Sequence, residues 1–198
     1  MITIQNIKEH YGLVDISKNL VCNKGIVLDP WLFQVLESDG FRYRNHMLDF
    51  NVFLQDYGFD LQRPYVWETF QKRNFIENIL CEKPISEFIF IQHIRNEGDT
   101  VFQVIDGKQR LITISDFIKN KFSIDIGRRT VHFDDFDKEL KSAFMRNVNF
   151  FCGTVYYSDN EHPISDKDKI RLFNYYNFSG TPQTEEHKAR LMSLVAEQ

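Results

Sequence analysis

The stretch FQVIDGKQRLITISDFI, from Phe102 to Ile118, decides how the chain folds. A short apolar strand ends at Ile105, Asp106-Gly107 turns the chain sharply, and Lys108-Gln109-Arg110 open a segment with Leu111, Ile114, Phe117 and Ile118 on one helical face. The charged turn therefore sits on a helix N-terminus, where the first backbone N–H groups lack internal partners and the helix dipole favours negative charge. Phosphate is the obvious guest. Arg110 offers a planar fork to it, Lys108 a point charge, and Asp106 a ligand for Mg²⁺ or a group to orient a hydroxyl. The same residues also suit a plain solvated Asp-Gly turn.

Working outward, Phe88 to Ile94 reads as a buried strand, Asn96-Glu97-Gly98-Asp99 turns it back, and Val101 to Ile105 is its partner, so the candidate site lies at the end of a hairpin. Upstream, Pro64 disfavours helix at Arg63, and Gln62, Arg63, Tyr65 and Trp67 are presented from a loop or an extended segment. Thr69 is the expected N-cap of a helix in which Phe70, Ile76, Ile79 and Leu80 face the core, ended by Pro84. Downstream, the helix after Lys108 is expected to reach about Phe122. A second hairpin pairs Ser123–Ile126 with Thr130–Phe133 around Gly127-Arg128, and Asp134, Asp135 and Asp137 lie at the start of a further helix to about Phe144, where the dipole accounts for them.

Elsewhere, Pro30 starts a helix with an apolar stripe of Trp31, Leu32, Val35 and Leu36 that stops at Asp39-Gly40. The segment before Lys24 supplies an edge strand or an extension. FRYRNH, Phe41 to His46, interleaves basic and aromatic residues and reads as a solvated loop, with a nucleic-acid contact as the sharper alternative. Val155 to Tyr157 is a short strand, Ser165 or Asp166 begins an amphipathic helix carrying Ile170, Leu172 and Phe173, and Thr184 caps a last helix after the Ser179-Gly180-Thr181-Pro182 turn.

The chain has 198 residues, 42% apolar and 26% charged, enough for one domain with a substantial core and no disulfide or metal. Aromatics reach 15%, led by 19 Phe, a proportion that suits dense packing. The net charge of −4 excludes a basic nucleic-acid coat protein. Cys22, Cys81 and Cys152 form no CxxC pair and read as buried thiols of a reducing compartment. No apolar run approaches the ~18 residues needed to cross a bilayer and no signal sequence follows Met1, so the expected location is the cytoplasm, without a membrane partner. GxxxxGK[ST], HExxH and GxSxG are absent.

Three blocks carry a family resemblance. VIDGKQRLITI (Val104 to Ile114) resembles the DGQQR signature of the ParB/sulfiredoxin-like superfamily, in the branch that includes the N-terminal domain of GmrSD modification-dependent restriction enzymes. LQRPYVWETFQKRNFIENIL (Leu61 to Leu80) resembles that branch's YQRPYVW block, and LFNYYNFSGTPQTEEHKARL (Leu172 to Leu191) its third block. Two departures stand out: Lys108 where the family usually has glutamine, and Leu61 where it usually has tyrosine. The resemblance implies an α+β fold with a small mixed sheet, flanking helices and a helical C-terminal part. It places the family-like core at 61–191 and leaves 1–60 as a variable extension.

The resemblance also implies a nucleoside triphosphate with Mg²⁺ as cofactors, DNA as a partner, and hydrolysis or phosphoryl transfer in modification, restriction or anti-restriction. Asp106, Gln109 and Arg110 are then the catalytic candidates, with Asp106 on the metal. Gln62, Arg63, Tyr65, Gly107, Lys108, Asn177 and Thr181 are the binding candidates. No HNH-type motif follows the third block, so the expectation is either a nucleotide-sensing half working with a nuclease partner or a stand-alone form of the kind a phage or mobile element carries. Two alternatives share these residues: a non-enzymatic module that binds DNA or a protein partner, and a kinase or transferase acting on modified DNA bases. Arg110 separates two roles, a clamp on phosphate or a tie between the turn and the fold.

Overall fold

The computed structural model describes residues 20–26, 31–81, 83–94, 98–147, 151–157 and 164–177. Ten strands occur among them: β1 (Leu20–Ile26), β2 (Arg42–Tyr43), β3 (His46–Asp49), β4 (Phe53–Leu54), β5 (Phe59–Asp60), β6 (Phe88–Ile94), β7 (Thr100–Asp106), β8 (Ile124–Ile126), β9 (Arg129–Val131) and β10 (Phe151–Tyr157). The helices are α1 (Trp31–Glu37), α2 (Thr69–Leu80), α3 (Lys108–Ile118), α4 (Lys138–Asn147) and α5 (Asp166–Asn177). Six strands form one mixed sheet in the order β1-β10-β6-β7-β3-β2, while β4-β5 and β8-β9 are separate hairpins. The α+β expectation holds, as does an edge strand from the segment before Lys24. β1, β2 and β3, all before residue 61, are built into the same sheet as the family-like core.

The central strands read as nearly unbroken apolar runs because both faces of the sheet are covered. Along β6, Phe88 and Phe90 join a core with α1, α2, α3 and Phe144 of α4, whereas Ile89 and Ile91 join a second core with the β4–β5 hairpin and Ile170, Leu172 and Phe173 of α5. On β7, Phe102 and Val104 face the first core and Ile105 the second. Phe117 of α3 meets the rings of Phe122, Phe133, Phe136 and Phe144 at centroid distances of 5.5 to 5.8 Å, so much of the phenylalanine content is core.

Several local expectations need correction. The cap of α2 is Glu68, one residue early, because its side chain and that of Gln71 form a reciprocal capping box. Phe70, expected in the core, is 77% exposed, and Phe75 takes the inward position. α3 stops at Ile118, short of Phe122, where Asn120 turns left-handed at φ 56°. FRYRNH is a β2–β3 hairpin whose Arg42 pairs with Asp99. Phe133–Asp135 form a separate 3-10 turn before α4, and Asp137 accepts the Leu140 N–H at 2.8 Å. β10 starts at Phe151, four residues earlier than expected. Cys81 is exposed, against the expectation of a buried thiol, while the thiols of Cys22 and Cys152 lie outside what is described. Thr181, Gly180 and Thr184 likewise lie outside the described residues. No helix among those residues is long and apolar enough to cross a membrane.

Candidate functional site

β7 is bonded to β6 on one side and runs parallel to β3 on the other, so the ends of β3 and β7 point the same way. Past that edge the chain turns at Gly107. Its φ of 104° is left-handed, and a Cβ built there would stand 2.4 Å from Cδ1 of Phe88, so glycine alone fits between the turn and the ring. The Gly107 carbonyl accepts the Leu111 N–H at 2.9 Å and starts α3, with no side-chain cap over the first amides.

Arg110 closes this turn. Its guanidinium donates to the Ser86 carbonyl, to the Glu87 carbonyl at 2.9 Å, and to Oδ2 of Asp106 at 2.8 Å, and it lies 4.8 Å from the Phe88 ring centroid. Its side chain is 12% exposed. Burial lowers the arginine's pKa against the pull of Asp106. Burial also raises the Asp106 carboxyl, opposed by Arg110 and by the Gly107 amide. Of the two roles, this geometry is the tie.

The three sequence blocks meet here, through bonds that join distant parts of the chain. Gln62 Nε2 donates to the carbonyls of Val104 and Ile105, the latter at 2.9 Å, and Asn177 Nδ2 reaches the same Ile105 oxygen at 3.2 Å. Gln109, nearly buried, uses both ends of its amide on the QRPYVW segment. Its Oε1 accepts from Val66 N at 2.9 Å and Trp67 N at 3.3 Å, and its Nε2 donates to Pro64 O at 3.0 Å. Tyr65 Oη lies 2.7 Å from Thr113 Oγ1, which itself donates to the Gln109 carbonyl at 2.8 Å. Having one proton, already committed, the threonine accepts, so the tyrosine donates. Burial raises the Tyr65 pKa, consistent with a retained proton. Trp67 packs its ring against Phe75 at 5.3 Å and anchors the corner.

Lys108 and Arg63 are differently placed. Burial lowers the Lys108 pKa, while the charges of Asp60 and Asp49 raise it, so the ammonium faces two carboxylates without an ion pair among the described residues. Arg63 is exposed and sits between Gln62, tied to β7, and Pro64, tied to α3. For a metal, no group of three or more His, Cys, Asp or Glu gathers among the described residues. Asp106, whose Oδ2 is held by Arg110 and whose carboxyl also accepts from the Gly107 amide, would offer Mg²⁺ a single carboxylate. Such a site fits an ion that takes its remaining ligands from phosphates and water, as Mg²⁺ does in nucleotide sites, and does not fit a protein-built cage.

Sequence reasoning did not single out Phe88, Thr113, Asp49 or Asp60, nor the carbonyls of Ser86 and Glu87. For Thr113 a signal existed: it and Ser115 are fully buried hydroxyls on α3, and a hydroxyl inside an apolar helix needs a partner. Ser115 finds the Leu36 carbonyl at 2.6 Å. The others depend on chain crossings that no local pattern encodes. A family model described as the GmrSD restriction endonuclease, N-terminal domain, matches residues 59–195, which include all three blocks and leave Asp49 outside. No curated protein and no solved structure matches the chain.

Proposed function

The chain belongs to the family of the N-terminal domain of GmrSD restriction endonucleases, and from that premise we propose that it is a nucleotide-binding module serving restriction of modified DNA. The family supports the restriction role and a DNA partner, with a nuclease as a second partner. The observation that carries the nucleotide reading is a division of labour at the turn. Gln62, Gln109, Arg110 and Asn177 are consumed in building it, while Lys108, Arg63 and the uncapped amides of α3 keep donors for a guest. Two cations beside a helix start suit a polyphosphate. Mg²⁺ bound to those phosphates, with Asp106 as its protein ligand, would neutralise their charge. In hydrolysis, water attacks the γ-phosphorus and the nucleoside diphosphate leaves, with Asp106 beside the site to orient the water.

Calorimetry with each ribonucleoside triphosphate and Mg²⁺, followed by phosphate release, tests this. Expected is binding that weakens about tenfold or more in Lys108→Ala, which removes a charge-assisted hydrogen bond. If none of the four ribonucleotides binds, the nucleotide reading fails.

One observation favours a second reading, in which the site binds a nucleotide and does not turn it over. The arginine of the signature is spent on Ser86, Glu87 and Asp106, so among the described residues no second arginine is bonded into this turn to meet the charge that develops in phosphoryl transfer. Tight binding with no phosphate release would select it.

A further inference from the structure

The β8–β9 hairpin has no part in the site above, and its construction is unusual for a surface ribbon. Its register pairs Ile124 with Val131, Asp125 with Thr130 and Ile126 with Arg129, so Ile124, Ile126, Arg129 and Val131 share one face. Ile124 is fully buried on that face, yet Ile126 is 48% exposed, which means that the ribbon runs past the edge of the core and leaves its tip uncovered. A two-residue turn, Gly127-Arg128, ends it, with the positive φ of 63° at the glycine that such turns need at their first central position.

The charge of the tip is one-sided. Asp125, its carboxylate, is satisfied at both oxygens, by Arg73 at 2.7 Å and by the Thr130 hydroxyl at 3.0 Å. Arg73 also donates to the Ser123 carbonyl at 3.0 Å and so braces the ribbon against α2. Arg128 and Arg129 are exposed and have no ion pair among the described residues. A braced, overhanging two-stranded ribbon with two free guanidinium groups and an exposed apolar residue, Ile126, across from one of them fits one partner well. The DNA major groove admits a two-stranded ribbon, its walls are lined with phosphates, and thymine methyl groups on its floor accept an apolar side chain.

We propose that the tip of the β8–β9 hairpin is a duplex-DNA contact, with Arg128 and Arg129 on backbone phosphates and Ile126 against the groove. It stands independently of the nucleotide reading. Phosphate contacts carry no base information, so the two arginines contribute equally to plain duplexes and to duplexes with hydroxymethylated bases.

The test is binding of a fluorescein-labelled duplex by anisotropy, without nucleotide, across a range of NaCl, for the full chain and for Arg128→Ala/Arg129→Ala. Expected is a roughly tenfold weaker complex and a log–log salt slope lower by about 0.9 for each phosphate no longer neutralised. The melting temperature should stay unchanged, since both side chains are exposed, and Arg128→Lys/Arg129→Lys should keep most of the slope. The proposal is overturned if the unmodified chain binds no duplex, or if the double variant binds with the same affinity and slope. It is also overturned if poly-glutamate displaces the duplex as readily as unlabelled duplex does, because the tip would then fit an acidic protein surface.

Discussion

Asp106 and Arg110, one helical turn apart, hold each other at 2.8 Å across the start of α3, and the same guanidinium reaches back to the chain just before β6. The arginine thus fastens the turn from both sides. Removing it leaves a largely buried carboxylate without its charge partner and the Glu87 carbonyl without this donor, which costs more than the loss of a surface ion pair. Arg110→Ala should lower the stability of the protein without nucleotide by roughly 2–4 kcal/mol, read as the midpoint of urea unfolding. Arg110→Lys should recover little, since a single ammonium cannot reproduce the fork. An unchanged midpoint in the alanine variant would return Arg110 to the role of a free phosphate clamp.

Gln109 presents an acceptor to Val66 and Trp67 and a donor to Pro64 from one amide. Only an amide offers both. Gln109→Glu should therefore be worse than its size suggests, because a carboxylate would face the Pro64 carbonyl. We expect a loss of roughly 1–3 kcal/mol, together with faster amide exchange at Val66 and Trp67. Exchange there as slow as in the unmodified chain would show that the loop is held by Trp67 packing alone.

Much of this arrangement was legible before the structure. The apolar run into Asp106-Gly107 and the stripe Leu111, Ile114, Phe117, Ile118 are local signals, and β7, the turn and α3 follow from them. Asp106, Gln109 and Arg110 lie together at the turn. What sequence could not reveal is how their polar atoms are spent, since Gln109 finds its partners 42 to 45 residues away and Gln62 finds the Ile105 carbonyl 43 away. Short-range rules also misread the start of α2. There Thr69 looked like the better cap, but the Glu68–Gln71 exchange caps the helix one residue earlier, and Phe70 lies off the buried stripe of Phe75, Ile76 and Ile79 and faces outward.

Tyr65 gives a pH dependence of definite sign. Burial raises its pKa in the folded protein, so between the ordinary tyrosine value and the raised one the folded state holds more protons than the unfolded state. Stability must then fall as pH rises through that window. Tyr65→Phe should remove this part of the alkaline loss, and at neutral pH should cost about 0.5–1.5 kcal/mol for the bond to Thr113. Urea unfolding of both proteins across the alkaline range checks it. Parallel curves would mean that Tyr65 does not carry the dependence.

Gly107→Ala meets two obstacles, a left-handed φ of 104° and a Cβ 2.4 Å from the Phe88 ring. Strain and overpacking together predict a loss of roughly 2–5 kcal/mol. Combining it with Phe88→Leu should relieve the clash and leave the backbone strain, so the double variant should be more stable than the sum of the two single losses predicts. Strict additivity would place the whole cost in the backbone.

Lys108 faces Asp49, which lies outside the family-matched residues. Two effects oppose each other when Lys108→Gln is made. The cost of half-burying an ammonium disappears, and the attraction of Asp49 and Asp60 disappears with it. Burial is the larger of the two influences on this lysine, so stability without nucleotide should be unchanged or slightly higher. Nucleotide affinity should move the other way. Removing a charge-assisted hydrogen bond to a phosphate costs roughly 1.5–3 kcal/mol, or about ten- to a hundredfold in affinity, and the remaining binding should depend less on salt. A purely structural lysine would give the reverse, lower stability with nucleotide binding intact. Melting curves with and without nucleotide and Mg²⁺, at two salt concentrations, separate the two cases in one set of measurements.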